Sequence, residues 1–150
     1  MKFRSESENT RVIYFKPSFQ KFYIQVITKF FSLISFFPVE TLPEILDCLC
    51  VPQYGKDKDE RVVLFLKVRD GCIFNQDLVS KVRKIIERDC SYQHVPEVVL
   101  EVKDILYNLT GKRTEVIVKK IINNLPHSVE TIRNPEALQY YYNIPELKGF

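Results

Sequence analysis

Lys112 follows Gly111 directly and stands ahead of an amphipathic run whose apolar positions are Val116, Val118, Ile121 and Ile122. Glycine enters left-handed or strained backbone at no steric cost. The pair therefore reads as a turn glycine with a lysine just past it, projecting from a loop rather than from a helix face. That placement suits an ammonium group meant to reach an anionic partner. On spacing alone the plainer reading is the stronger one: a turn glycine beside a solvated charge, since a single Gly-Lys pair is weak evidence.

The other candidates for chemistry are cysteines 48, 50, 72 and 90 and two histidines. Cys48 and Cys50 would share one face of a strand. No second pair follows at zinc spacing, and neither histidine lies near them in sequence. They read as buried free thiols in a reducing compartment rather than as disulfides or metal ligands. His94 has no serine or cysteine nucleophile beside it and reads as structural. No metal site is expected.

The chain of 150 residues suits one domain with a real core. A net charge of +3 is too small to argue for a nucleic-acid partner. The first ten residues are polar, and no secretory signal is expected from them. The sequon Asn108-Leu109-Thr110 is then read as chance.

Apolar residues Phe19, Phe22, Tyr23, Val26, Ile27, Phe30, Phe31 and Ile34 recur at helical spacing, which predicts a helix over residues 17–35. Lys21, Gln25, Thr28 and Lys29 interrupt it, so no transmembrane span is expected. Strands are expected over 47–53, stopped by Pro52 and Gly55, over 61–68 with both faces covered, and over 98–102. A helix over 76–89 has Asn75 as its N-cap and an apolar stripe of Leu78, Val79, Val82, Ile85 and Ile86. Its basic residues read as a solvated face. His94-Val95-Pro96 is an extended corner. A helix over 115–123 should end at Leu125-Pro126, and Asn134-Pro135-Glu136 should cap a last helix through residue 142. Three strands with intervening helices make an α+β domain with a small sheet.

The stretch Thr110-Gly111-Lys112-Arg113-Thr114-Glu115-Val116 resembles the last conserved motif of the adenylate-forming acyl- and aryl-CoA synthetases. In that family a Pro-x-Thr-x-x-Gly-Lys loop carries the catalytic lysine. Four further stretches are similar to the acetoacetyl-CoA synthetases within it. They are Leu49 to Tyr54, Glu60 to Lys67, His94-Val95-Pro96, and Asn134 to Leu138 together with Ile144 to Phe150. The resemblance covers roughly residues 44–150. It implies a small mobile C-terminal domain over 43–150, behind an atypical segment 1–42 that is expected to be foreign to the enzyme, in a partial or mis-spliced chain.

The resemblance further implies an acid–thiol ligase of lipid metabolism in which ATP, with Mg, converts acetoacetate to an acyl-adenylate and CoA then displaces AMP. It assigns Lys112 as the catalytic lysine, with Gly111 and Thr110 as the loop that positions it. A cytosolic location and a large N-terminal domain outside this sequence are implied as well. The chain alone is expected to be inactive, with no tight binding of ATP or CoA. Leu106 and Asn108 stand where the family has proline and threonine, so the loop is expected to be less rigid or differently hydrogen-bonded. Two other readings stand beside this one. One is a non-catalytic interaction module using the aromatic N-terminal helix. The other is a phosphate or nucleic-acid binder using Lys112, Arg113, Lys119 and Lys120, ranked low because aromatic and basic residues do not interleave.

Overall fold

The structure is a computed structural model that describes residues 36–57 and 59–150, with side chains from residue 38. The helix expected over 17–35 lies outside the described residues. The described elements are α1 (Phe36–Glu40), β1 (Ile45–Tyr54), β2 (Glu60–Val68), α2 (Gln76–Asp89), β3 (Val98–Glu101) and α3 (Glu115–Ile122). Short 3₁₀ turns cover Tyr92–His94, Pro135–Tyr140 and Pro145–Leu147. Among the described residues no helix is long and apolar enough to cross a membrane.

The sheet has the order β1-β2-β3, so β2 is central. β1 and β2 form an antiparallel hairpin, closed by a hydrogen bond from Gly55 N to Asp59 O at 2.7 Å. β3 runs parallel to β2, and α2 makes the crossover that a parallel pair requires. The sheet is thus mixed, a detail that strand patterns alone do not specify. Val63, Leu64, Phe65 and Leu66 are all fully buried, so both faces of β2 are covered, as its unbroken apolar run predicts. Val39 and Leu42, ahead of the boundary expected at residue 43, also belong to this core.

β1 does not stop at Pro52. It continues to Tyr54, with Pro52 opposite Val62. Proline is tolerated because β1 is an edge strand, where a missing N–H removes no ladder bond on the outer side. The Asn123 side chain occupies that outer side. Its Nδ2 donates to Pro52 O at 3.0 Å and to Lys119 O at 2.7 Å, while its Oδ1 accepts from Tyr54 N at 2.6 Å. One amide at the C-cap of α3 thereby pairs edge groups that would otherwise be open.

α2 begins as the sequence indicates: Asn75 Oδ1 accepts from Leu78 N at 2.9 Å, and Leu78, Val79, Val82 and Ile86 are buried. Its basic face is largely engaged locally: Lys81 pairs with Glu44 and Arg88 with Asp89, and Arg83 donates to Glu97 O. His94 sits in a 3₁₀ turn, and Val95 turns extended after it; contrary to the expectation that no serine stands beside it, its Nδ1 lies 2.6 Å from Ser91 Oγ, because the turn folds residue 94 back onto residue 91.

Three expectations need correction. α3 ends before Leu125-Pro126, because Asn124 adopts a positive φ of 54° and reverses the chain. The last helix is a 3₁₀ turn, and Asn134 does not cap it with its side chain. Among the cysteines, Cys48 and Cys50 are buried free thiols and burial pushes both thiols well up, but Cys72 is exposed. It lies just beyond the Asp70-Gly71 turn, where the neighbouring Ile73 is exposed as well and the chain returns to the core only at Phe74.

Of the Tyr140-Tyr141-Tyr142 run, the middle ring closes the core. Tyr141 is 1% exposed, meets Phe65 edge-on with centroids 5.1 Å apart, and donates its hydroxyl to Asp104 O at 2.9 Å. Phe65→Ala should therefore lower unfolding free energy by about 3–5 kcal/mol, and Asn75→Ala by about 1 kcal/mol. Urea unfolding of both variants beside the parent chain measures the difference; equal losses would contradict this account of the core.

Candidate functional site

Lys112 stands on a short ribbon between β3 and α3, outside any helix. Its two legs are joined by a bridge between Tyr107 and Arg113, and a second bridge joins Asn108 to Ile132. Asn108 N donates to Lys112 O at 2.8 Å, and Gly111 N donates to Asn108 O at 2.9 Å. Gly111 has φ 81°, and a Cβ there would have room, with its nearest neighbour 4.0 Å away at Arg133. Backbone conformation rather than space therefore calls for glycine.

The Asn108 carboxamide organises the tip. Its Oδ1 accepts from Thr110 N at 3.1 Å, Thr110 Oγ1 at 2.7 Å and Lys112 N at 2.9 Å. This is the Asx-turn habit of asparagine, extended to one further amide. The side chain at position 108 thus supplies the bonds that shape the tip. Leu106, standing where proline is usual, is fully buried and accepts from Thr114 N at 3.0 Å through its carbonyl. Gly111, Thr110 and Lys112, grouped from sequence, do lie together at this tip. Lys112 is exposed, and its ammonium forms no ion pair among the described residues. Beside it lies an open groove of about 870 Å³, lined by Tyr107, Asn108, Lys112, Thr114, Val116 and Thr131 among others.

Sequence reasoning missed what holds the ribbon. Asp47 of β1 is 7% exposed. Its Oδ1 accepts from Arg113 Nε at 2.9 Å and lies 2.6 Å from Nη2 in an ion pair, and its Oδ2 accepts the Tyr107 hydroxyl. Arg113 also pairs with Glu40 of α1. Burial alone would lower the affinity of Arg113 for its proton, but the two carboxylates outweigh it and push its pKa up. A visible signal existed: Asp47 is the one charged residue in the apolar stretch Ile45 to Val51.

A second anchor holds the leg entering the ribbon. Asn134 Oδ1 accepts from Tyr107 N at 2.9 Å, and its Nδ2 donates to Asp104 Oδ2 and Ile105 O, both at 2.8 Å. Lys67 Nζ lies 2.7 Å from Asp104 Oδ1. Among the described residues no three His, Cys, Asp or Glu side chains converge as a metal site.

Burial would raise the Asp104 carboxyl pKa, but the Lys67 ammonium and the Asn134 amide hold it below its ordinary value. A carboxyl lowered in the folded state stabilises the fold above its unfolded pKa, and that contribution is lost as pH falls through the folded value. Melting temperature should therefore fall less steeply for Asp104→Asn than for the parent chain between about pH 5 and pH 3. A thermal-denaturation series over that window tests this, and parallel curves would contradict it.

Compared with known proteins, the chain matches no family model. It is 49% identical over 115 residues to the acetoacetyl-CoA synthetase of Macaca fascicularis and 46% identical over 114 residues to that of Xenopus tropicalis. Each match covers 75% of this chain and 17% of the relative, so the chain spans about a sixth of the length of these curated relatives. Among solved structures, acetoacetyl-CoA synthetase from Streptomyces lividans aligns with a TM-score of 0.63 at 32% identity, covering 71% of this chain and 16% of that one. The three-stranded mixed sheet with helices described above matches the C-terminal domain of the adenylate-forming acyl-CoA synthetases. Over the matched segment this chain is similar to the acetoacetyl-CoA synthetases.

Proposed function

We propose that this domain serves as the C-terminal part of an acetoacetate–CoA ligase and that Lys112 is its adenylation lysine. In that reaction a carboxylate oxygen of acetoacetate attacks the α-phosphorus of ATP, and the bond to diphosphate breaks. The CoA sulfur then attacks the acyl carbon, and AMP leaves. The first step brings two anions together. An ammonium at that point offsets their repulsion and stabilises charge that builds in the transition state. It also helps hold the reactants in reach of one another.

The observation that carries this reading is the contrast within the ribbon. Its backbone is fixed by Asn108 and by the bridge at its base, while the Lys112 side chain is exposed beside an open groove. A charge on a firm but projecting mount can enter a site formed with another domain and leave it again before CoA arrives. Magnesium travels with the ATP phosphates in this reading. Among the described residues no three His, Cys, Asp or Glu side chains gather to hold it. Gly111 and Thr110 shape the mount, and a cytosolic location belongs to the same reading.

The alternative phosphate- or nucleic-acid-binding set is less favoured, since Arg113 is committed to Asp47 and Glu40 and Lys119 and Lys120 are only half exposed. The interaction-module alternative rests on residues outside the described ones.

The test is reconstitution. The 150-residue chain is mixed with the large domain of an acetoacetyl-CoA synthetase, and acetoacetyl-CoA formation from acetoacetate, ATP and CoA is measured. We expect turnover only from the mixture, with Lys112→Ala reducing it by about 10²–10³-fold. Turnover by the chain alone, or turnover indifferent to Lys112, would overturn the reading.

A further inference from the structure

We infer that Asp47 is the positioning residue for Lys112, acting through Tyr107 and Arg113; the inference rests on the function proposed for that lysine. Tyr107 and Arg113 face each other across the backbone bridge at the base of the ribbon. Their side chains meet again on one carboxylate, Tyr107 on Oδ2 and Arg113 on Oδ1. Backbone bridge and side chains together form a closed ring. Lys112 is the immediate neighbour of Arg113, so its Cα lies about 3.8 Å from a residue fixed by that ring.

The carboxylate is built for this position. β1 carries a register irregularity between Ile45 and Asp47, of the kind that re-aims a side chain. Leu46 there is 48% exposed, whereas Asp47 turns inward. Asp47 Oδ1 also accepts from Cys48 N at 2.8 Å, so donors from three residues surround a nearly buried carboxylate. Charge-assisted bonds in such a setting are short and directional. Removing one partner leaves the others with unmet polar groups.

The other anchors have different jobs. Asn108 sets the shape of the tip from within the ribbon. Asn134 and Asp104 hold the entering leg to the segment that follows the ribbon and to β2. Asp47 ties both legs, at the level of the lysine, to the sheet. Glu40 pairs with the guanidinium from a side chain that is 39% exposed, so it contributes little.

The test measures amide hydrogen exchange, resolved by residue, in the full chain and in Asp47→Asn, Tyr107→Phe and Glu40→Gln. Asp47→Asn should speed exchange at Asn108, Gly111 and Lys112 by about tenfold, the loss of roughly one charge-assisted bond, while Leu64 to Leu66 of β2 keep the parent rates. Tyr107→Phe should show a smaller effect at the same amides, and Glu40→Gln none. A merely stabilising Asp47 would raise all these rates by one common factor, and that result, or unchanged ribbon amides, overturns the inference. If Asp47→Asn does not fold, Tyr107→Phe carries the same test, because it removes the one hydroxyl that joins Tyr107 to Asp47 and keeps the aromatic side chain.

In the reconstituted ligase, Asp47→Asn should lower kcat with KM for ATP unchanged. Wild-type chain that gives no ligase activity sinks the proposed function, whereas the exchange result judges Asp47 independently.

Discussion

The central strand has no face to give to water. Val63 to Leu66 are buried throughout, so β2 must be covered above, below and on both edges by a domain with only three strands. The hairpin partner β1 covers one edge and β3 the other. α2 and α3 supply apolar stripes, and Tyr141 brings a ring against Phe65. Burial of this strand is the dominant favourable term available to so small a core. The rest of the chain is laid out to satisfy it.

A small sheet leaves many backbone groups outside regular pairing, and here polar side chains take them up. Asn123 pairs the outer edge of β1 at Pro52 and Tyr54. Asn134 accepts from the amide of Tyr107 and donates to the carbonyl of Ile105. Asn108 gathers the amides of Thr110 and Lys112. Each amide joins pieces distant in sequence or folds a loop back on itself. The ribbon that presents Lys112 is therefore fixed without belonging to the sheet. Its rigidity comes from side chains, which leaves its backbone at the surface and its lysine in solvent.

Much of this was legible in the residues. The run Val62 to Leu66 reads as a covered strand, and Asn75 with its apolar stripe gives α2 at its observed bounds, because both signals are local. The Gly111-Lys112 turn was legible for the same reason. What escaped depends on distance. Pro52 reads as a strand end until β1 is known to be an edge. Asn134-Pro135 looks like a helix cap, but the Asn134 amide is drawn to Tyr107, Asp104 and Ile105, so its capping role goes unused. Asp47 lies 66 residues from Arg113, and no periodicity links them. An acid inside an apolar strand does announce that some cation or donor must meet it; which one is a property of the fold alone.

The Asn123 amide has a chemical corollary. Its nitrogen donates to two carbonyls, at Pro52 and Lys119, and its oxygen accepts one amide, at Tyr54. Direct hydrolysis of such a side chain, which takes in water and releases ammonia, would put an oxygen where that nitrogen stands and change the side-chain shape by almost nothing. The product would set an anionic oxygen against two carbonyl oxygens at hydrogen-bond distance. An edge that is closed by attraction would then be pried open by repulsion. In this domain hydrolysis at a single amide would therefore expose a strand edge, the kind of surface on which chains self-associate.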